Sequence, residues 1–151
     1  MIQENIKLKR ATMEDIPSIL EVEKCLAGTK IYSALTDKDE VIKEVENSTF
    51  YLIEKGSEVV GDTSYKIKGK NHAYISGLGI IPKFQGQGIA RQTMKMILEE
   101  LKNVKIIDLV THPENEKAIS LYKSFGFEQT GEPMENYFDD GEPRIRMVFK
   151  K

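Results

Sequence analysis

Leu78-Gly79-Ile80-Ile81-Pro82-Lys83-Phe84-Gln85-Gly86-Gln87-Gly88-Ile89-Ala90 is the stretch on which the reading of this chain turns. An apolar run is halted by Pro82, which has no N–H to extend a ladder, and a glycine-punctuated turn follows. Beyond it Ile89, Thr93, Met94, Ile97, Leu98 and Leu101 recur at helical spacing, predicting a long amphipathic helix over Gly88 to Lys102. The corner is thus strand, tight turn, helix. Gly86 and Gly88 carry no side chain to hold an anion away from the backbone, and the first helical turn leaves N–H groups unpaired, so the corner suits a phosphate. A loop that only turns the chain is the plain alternative.

Two common phosphate motifs are excluded. No Gly-Lys-Ser or Gly-Lys-Thr completes a Walker loop, and Arg91 stands where a dinucleotide fingerprint has its third glycine.

Working outward, period two dominates from Thr49 to Ile81, predicting strands at Phe50 to Ile53, Glu58 to Ile67 and Ala73 to Ile81, an antiparallel meander. Upstream, Ile6 to Arg10 alternate as a strand, and Thr12 with Asp15 resembles a capping box. The helix it opens carries Ile16, Ile19, Leu20, Glu23 and Ala27 at helical spacing, tolerates Pro17 near its start and stops at Gly28. Thr36 or Asp37 caps a short helix bearing Val41, Ile42 and Val45. Downstream come a strand at Lys105 to Thr111 and a helix at Asn115 to Ser124 whose apolar face is Ala118, Leu121, Tyr122 and Phe125. Strands at Phe127 to Thr130 and Arg144 to Phe149 flank a polar loop, Glu135 to Pro143. This order predicts an α/β (α+β) fold, a mixed sheet flanked by helices, with residues 1–151 as one domain.

Composition narrows the function. The 151 residues are 40% hydrophobic and 30% charged, an ordinary globular balance, and 22 basic against 24 acidic residues leave a net charge of −2. No broad cationic field invites nucleic acid or anionic lipid. Met1-Ile2-Gln3-Glu4-Asn5 lacks the pattern of a signal peptide, and no stretch approaches the ~18 apolar residues of a span, so cytoplasm is the expected location. One cysteine, Cys25, and two histidines, His72 and His112, make no zinc cluster, so no metal is expected. The chain is read as a monomer or homodimer, its terminal strand being available for pairing.

The quoted corner resembles motif A of the GCN5-related N-acetyltransferases, Gln/Arg-x-x-Gly-x-Gly/Ala, with Gln85-Gly86-Gln87-Gly88-Ile89-Ala90 matching every defined position. Asn115-Glu116-Lys117-Ala118-Ile119-Ser120-Leu121-Tyr122-Lys123-Ser124-Phe125-Gly126-Phe127 resembles motif B, Asn-x-x-Ala-x-x-Leu-Tyr-x-x-x-Gly-Phe. That segment and Asn136 to Gly141 are also similar to ribosomal-protein alanine acetyltransferases. The resemblance implies transfer of an acetyl group from acetyl-CoA to a small-molecule or peptide amine, directly in a ternary complex. A non-catalytic acetyl-CoA sensor is the other reading.

Carried over by that resemblance, the cofactor's pyrophosphate lies on Gln85, Gly86, Gln87, Gly88, Ile89 and Ala90, with Arg91 adding charge or remaining a solvated helix residue. Leu78, Gly79 and Ile80 supply backbone partners to the pantetheine, beside a bulge marked by Gly77 and Gly79, and Asn115 reaches its amides or caps its helix. Tyr122 matches the general acid, although its spacing also fits the core stripe. Where the ribosomal-protein enzymes have a glutamate this chain has Val110, so the base is sought among His112, Tyr74 or Ser76 ordering a water, and Glu21 or Glu23. Tyr32, Tyr74, Ser76 and Tyr137 are the candidate lining of the acceptor pocket; Tyr137 also suits packing beneath its loop. Cys25 is read as buried and inert rather than acyl-carrying.

Overall fold

The computed structural model describes residues 5–151; Met1 to Glu4, most of the segment read for a signal peptide, lie outside the described residues. The period-two stretches form β1 (Ile6–Arg10), β2 (Thr49–Lys55), β3 (Glu58–Gly69), β4 (His72–Ile80), β5 (Ile106–Thr111), β6 (Glu128–Met134) and β7 (Arg144–Lys150). The helical ones form α1 (Ile16–Leu26), α2 (Lys38–Asn47), α3 (Ile89–Glu100) and α4 (Glu116–Ser124). A short 3₁₀ turn, Met13–Asp15, leads into α1, and there the Asp15 carboxylate accepts the Thr12 backbone N–H at 2.9 Å while pairing with Lys9. Asp37 rather than Thr36 caps α2, accepting the Glu40 N–H at 3.1 Å.

The strands make one seven-stranded sheet in the order β1-β2-β3-β4-β5-β7-β6. Every neighbouring pair is antiparallel except β4 and β5, which α3 connects as a crossover. Ile16, Ile19, Val22 and Leu26 of α1 pack with Val41 on Phe50 and Leu52. Met94 and Ile97 of α3 and Tyr122 of α4 pack with Ala73, Ile75, Ile107 and Leu109. At about 1.5–3 kcal/mol per fully buried aliphatic side chain, these clusters dominate the favourable side of folding. The mixed, mostly antiparallel sheet is the expected one. The terminal strand is not available for pairing as expected: β7 is enclosed between β5 and β6, and β6 takes the edge. Among the described residues no helix is long and apolar enough to cross a membrane.

What positions the site is the parting of β4 from β5. Their ladder runs only from His72↔Ile106 to Ile75↔Leu109, after which β4 stays with β3 and β5 with β7. At that point the β3–β4 register slips, Ser64 pairing with Gly77 but Tyr65 with Ile75, so Ser76 is the extra residue. The bulge expected at Gly77 and Gly79 therefore starts one residue earlier.

Candidate active site

The edge of β4 that faces β5 beyond Ile75 has no strand partner, so its backbone polar groups from Ser76 onward border an opening in the sheet. A cavity of about 330 Å³ lies there, walled by Gly77 and Leu78 of β4, Val110 of β5, and Asn115, Ala118 and Tyr122 of the α4 end. An extended chain with amide groups can add to such an edge as a strand does. Tyr122 is buried and its phenol is pushed up to about 12 by burial alone, so it stays protonated at neutral pH. Asn115 lines the same cavity while its side chain caps α4, accepting the Ala118 N–H at 3.3 Å.

At the end of β4 the 3₁₀ turn Pro82–Phe84 delivers the chain to α3. Gly86 and Gly88 both lie in the left-handed region, φ +81° and +79°, and a Cβ built on either meets nothing within 4 Å. Gly88 is the N-cap of α3, so the bare backbone here borders the unpaired first-turn N–H groups, a fit for a diphosphate. The Gln85 side chain donates to the Ile80 carbonyl at 2.9 Å, fixing the loop to β4, and Gln87 accepts from Lys55 at 2.7 Å. The Ile80 and Ile89 side chains are buried in an apolar cluster with Ile53 and Val60. Arg91 spans to α4, donating to Ser124 Oγ at 3.1 Å with its guanidinium over the Phe125 ring.

On the α1 side the cavity is bounded by acids. Asp62 of β3 and Glu23 of α1 are each 2% exposed, and both line it. Burial first, and then the neighbouring Glu23 carboxylate, push the Asp62 carboxyl well above the usual carboxylate range. Glu23 accepts the Tyr32 hydroxyl at 3.0 Å and the Leu35 N–H at 2.9 Å. The Tyr32 phenol is raised by burial and then by Asp62 and Glu23. Gly79 makes this packing possible, since a Cβ there would sit 2.4 Å from Leu26 Cδ1 and 2.9 Å from the Tyr32 hydroxyl.

The structure brings Tyr32, Tyr74, Ser76, Asn115, Leu78 and Tyr122 to one cavity. Tyr74 has its phenol raised, chiefly by burial, and Ser76 Oγ lies 2.7 Å from Ser64 Oγ. It does not bring His112 there. That side chain is 1% exposed, Nδ1 accepts the Glu114 N–H at 3.0 Å, and Nε2 is therefore the protonated nitrogen, donating to Glu142 at 2.8 Å. His112 ties the end of β5 to the β6–β7 loop. Tyr137 is 44% exposed, stacked edge-on against Phe138, and it is Phe138 that reaches the cavity. Glu21 and Cys25 are exposed on α1, away from the lining, so Cys25 is not buried as expected. Donor atoms of His112, Glu114 and Glu142 do lie within 4.8 Å of one another, but both ring nitrogens are engaged and Glu114 pairs with Lys30 at 2.8 Å. Asp62 escaped the sequence reading; its one signal was an acid inside a strand bordered by apolar and small residues.

Residues 17–127 match the profile described as the Acetyltransferase (GNAT) family. The chain is 37% identical over 73 residues to a spermidine N(1)-acetyltransferase of Escherichia coli (strain K12), covering 45% of this chain and 39% of that protein. It is 30% identical over 118 residues to N-acetyltransferase 8 of Mus musculus, covering 74% of this chain and 50% of that one. The chain thus spans half or less of the length of these curated relatives. In fold it is similar to the ribosomal-protein-S18-alanine N-acetyltransferase from Escherichia coli, with a TM-score of 0.80 at 18% identity over 97% of this chain and 94% of the other.

Proposed function

The chain belongs to the acetyltransferase (GNAT) family, and on that premise we propose that it is an N-acetyltransferase, taking its acetyl group from acetyl-CoA and passing it directly to an amine. The observation that carries this reading is the parting of β4 from β5 beside a buried phenol, Tyr122, and one strand's length from the bare glycine corner. Backbone N–H groups around Gly86, Gly88 and Ala90 would hold the diphosphate, and the free edge from Ser76 to Ile80 the pantetheine amides. Acetyl-CoA, when bound, supplies the activated thioester carbonyl.

The residues of the chain have three tasks there. The β4 edge, free of β5 beyond Ile75, would offer a backbone N–H to the thioester carbonyl oxygen. Tyr122 holds its proton at working pH and would give it to a departing thiolate. A group on the acceptor side has to take a proton from the amine, because an alkyl amine at pH 7 is almost wholly protonated. Val110, apolar on the cavity wall, is the observation that favours acetyl-CoA binding without transfer as a second reading. Free-thiol release, followed with purified protein, acetyl-CoA and a panel of primary amines, tests the proposal. Tight acetyl-CoA binding by calorimetry with no thiol released by any amine would favour the sensor instead.

A further inference from the structure

The loop between β6 and β7, residues 135–143, is shaped from within. Asn136 and Asp139, on either side of Tyr137 and Phe138, take left-handed φ values of +49° and +59°, which non-glycine residues keep only where their surroundings pin them. Asn136 Oδ1 accepts the Gly141 N–H at 2.7 Å, and Asp140 Oδ1 accepts the Glu142 N–H at 3.0 Å. At the loop's own end Asp140 Oδ2 accepts from Arg144 Nη2 at 2.9 Å. These bonds fix the form of the loop and not where it stands. Among the described residues a single hydrogen bond joins it to anything outside the β6–β7 hairpin: His112 Nε2 donates to Glu142 Oε1 at 2.8 Å.

That bond is well made. The His112 side chain is 1% exposed, and the Glu114 N–H on Nδ1 at 3.0 Å leaves Nε2 as the protonated nitrogen facing a carboxylate. The neighbouring tie, Lys30 Nζ to Glu114 at 2.8 Å, is more than half exposed on both sides and screened by water, so it contributes much less. Phe138 is the side chain that the tether places. It lies on the cavity wall although it is 42% exposed, with the Arg144 guanidinium carbon 5.2 Å from its ring centroid.

We propose that His112 is a positioning residue for the acceptor: through Glu142 it fixes the β6–β7 loop to the end of β5 and so holds Phe138 against the cavity. The inference rests on the transferase reading above and concerns the wall of that same site. His112 itself touches no reacting atom. None of the groups proposed to hold acetyl-CoA, the glycine corner, the β4 edge, Asn115 and Tyr122, belongs to this loop. The tether therefore bears on acceptor binding and leaves the hold on acetyl-CoA unchanged.

The test uses the full chain and substitutes Glu142, because the His112 carbonyl also accepts the Asn115 N–H at 3.0 Å and a change there would reach the cofactor side. Glu142→Ala removes the oxygen that His112 bonds, whereas Glu142→Gln keeps one. Hydrogen exchange at the Gly141 N–H is expected to quicken about tenfold or more in Glu142→Ala as the loop loosens. With the amine that releases thiol fastest in the wild type, the acceptor KM is expected to rise about fivefold or more while kcat stays within about threefold. Acetyl-CoA affinity by calorimetry is expected to be unchanged, Glu142→Gln is expected to restore both exchange and KM, and thermal unfolding checks that each variant folds. An unaltered acceptor KM in Glu142→Ala, a parallel loss of acetyl-CoA affinity, or a Glu142→Gln variant as impaired as Glu142→Ala overturns the assignment. If no amine releases thiol, the transferase reading fails, and exchange alone decides the tether: quickened in Glu142→Ala and restored in Glu142→Gln it stands, and unchanged it falls.

Discussion

Asp62 and Gly79 stand opposite each other in the β3–β4 ladder, so a buried acid and a residue with no side chain share one face of the sheet. Leu26 and Tyr32 fill the space that Gly79 leaves, and Tyr32 in turn donates to Glu23, the neighbour of Asp62. This end of the cavity is therefore assembled around a missing Cβ.

That arrangement makes Gly79→Ala a discriminating change. Its Cβ collides with Leu26 and with the Tyr32 hydroxyl, and relieving the overlap is expected to cost about 1–3 kcal/mol and to disturb acceptor binding. Gly77→Ala meets only Ser64 Oγ at 3.6 Å and is expected to change stability by about 1 kcal/mol or less. Urea denaturation of both variants measures the contrast, and equal losses would contradict it.

Tyr122→Phe removes a hydroxyl whose phenol is held near 12 by burial. Turnover is expected to fall on the order of 10²-fold or more, the usual scale for a proton donor, with acetyl-CoA affinity unchanged by calorimetry. Because the folded phenol loses its proton only around pH 12, no basic limb from Tyr122 is expected below about pH 11.

Gly88→Ala tests the glycine corner. The left-handed φ of +79° costs an alanine roughly 1 kcal/mol, and no protein atom obstructs its Cβ, so the fold is expected to persist. Acetyl-CoA affinity is expected to drop at least tenfold, because the methyl group would intrude on the backbone proposed to hold the diphosphate. Calorimetric titration decides, and wild-type affinity would place the diphosphate elsewhere.

Asp62 also links stability to pH. Its carboxyl is raised in the fold by burial and by Glu23, so above the ordinary carboxylate value the folded chain binds more protons than the unfolded one. Stability therefore falls as pH rises from about 4 toward the folded value, the reverse of a salt-bridged aspartate. Asp62→Asn is expected to flatten that decline. Thermal unfolding at a series of pH values, wild type against variant, measures it, and parallel curves would show that Asp62 does not hold the extra proton.

His112→Ala removes a tether and not a base. The loss of its bonds to Glu142 and to the Glu114 N–H, inside a site 1% exposed, is expected to cost about 2 kcal/mol or more in stability. Turnover per folded molecule is expected to survive at low temperature. A loss of turnover without a loss of stability would return His112 to the chemistry.

Much of this was legible in the residues. Pro82 and the glycines at 86 and 88 announced a strand end, a tight turn and a helix start, because those properties belong to single residues and their chain neighbours. Glu23 was also visible as an acid on the apolar stripe Ile16, Ile19, Leu20. Asp62 was hidden for the opposite reason: with Thr63 and Ser64 beside it, it reads as a polar strand face until α1 is laid over that face. His112, next to Pro113, reads as a solvent-facing loop residue, and only the return of the β6–β7 loop with Glu142 buries it.

By itself, then, the order of residues determined the succession of strands and helices, the caps, and the corner suited to an anion, all properties of segments a few residues long. The tertiary structure alone decided where β4 leaves β5, and which acid stands against which. Those outcomes depend on groups far apart in the chain being desolvated together, and the energy of a buried carboxyl is set by the neighbours that folding brings to it.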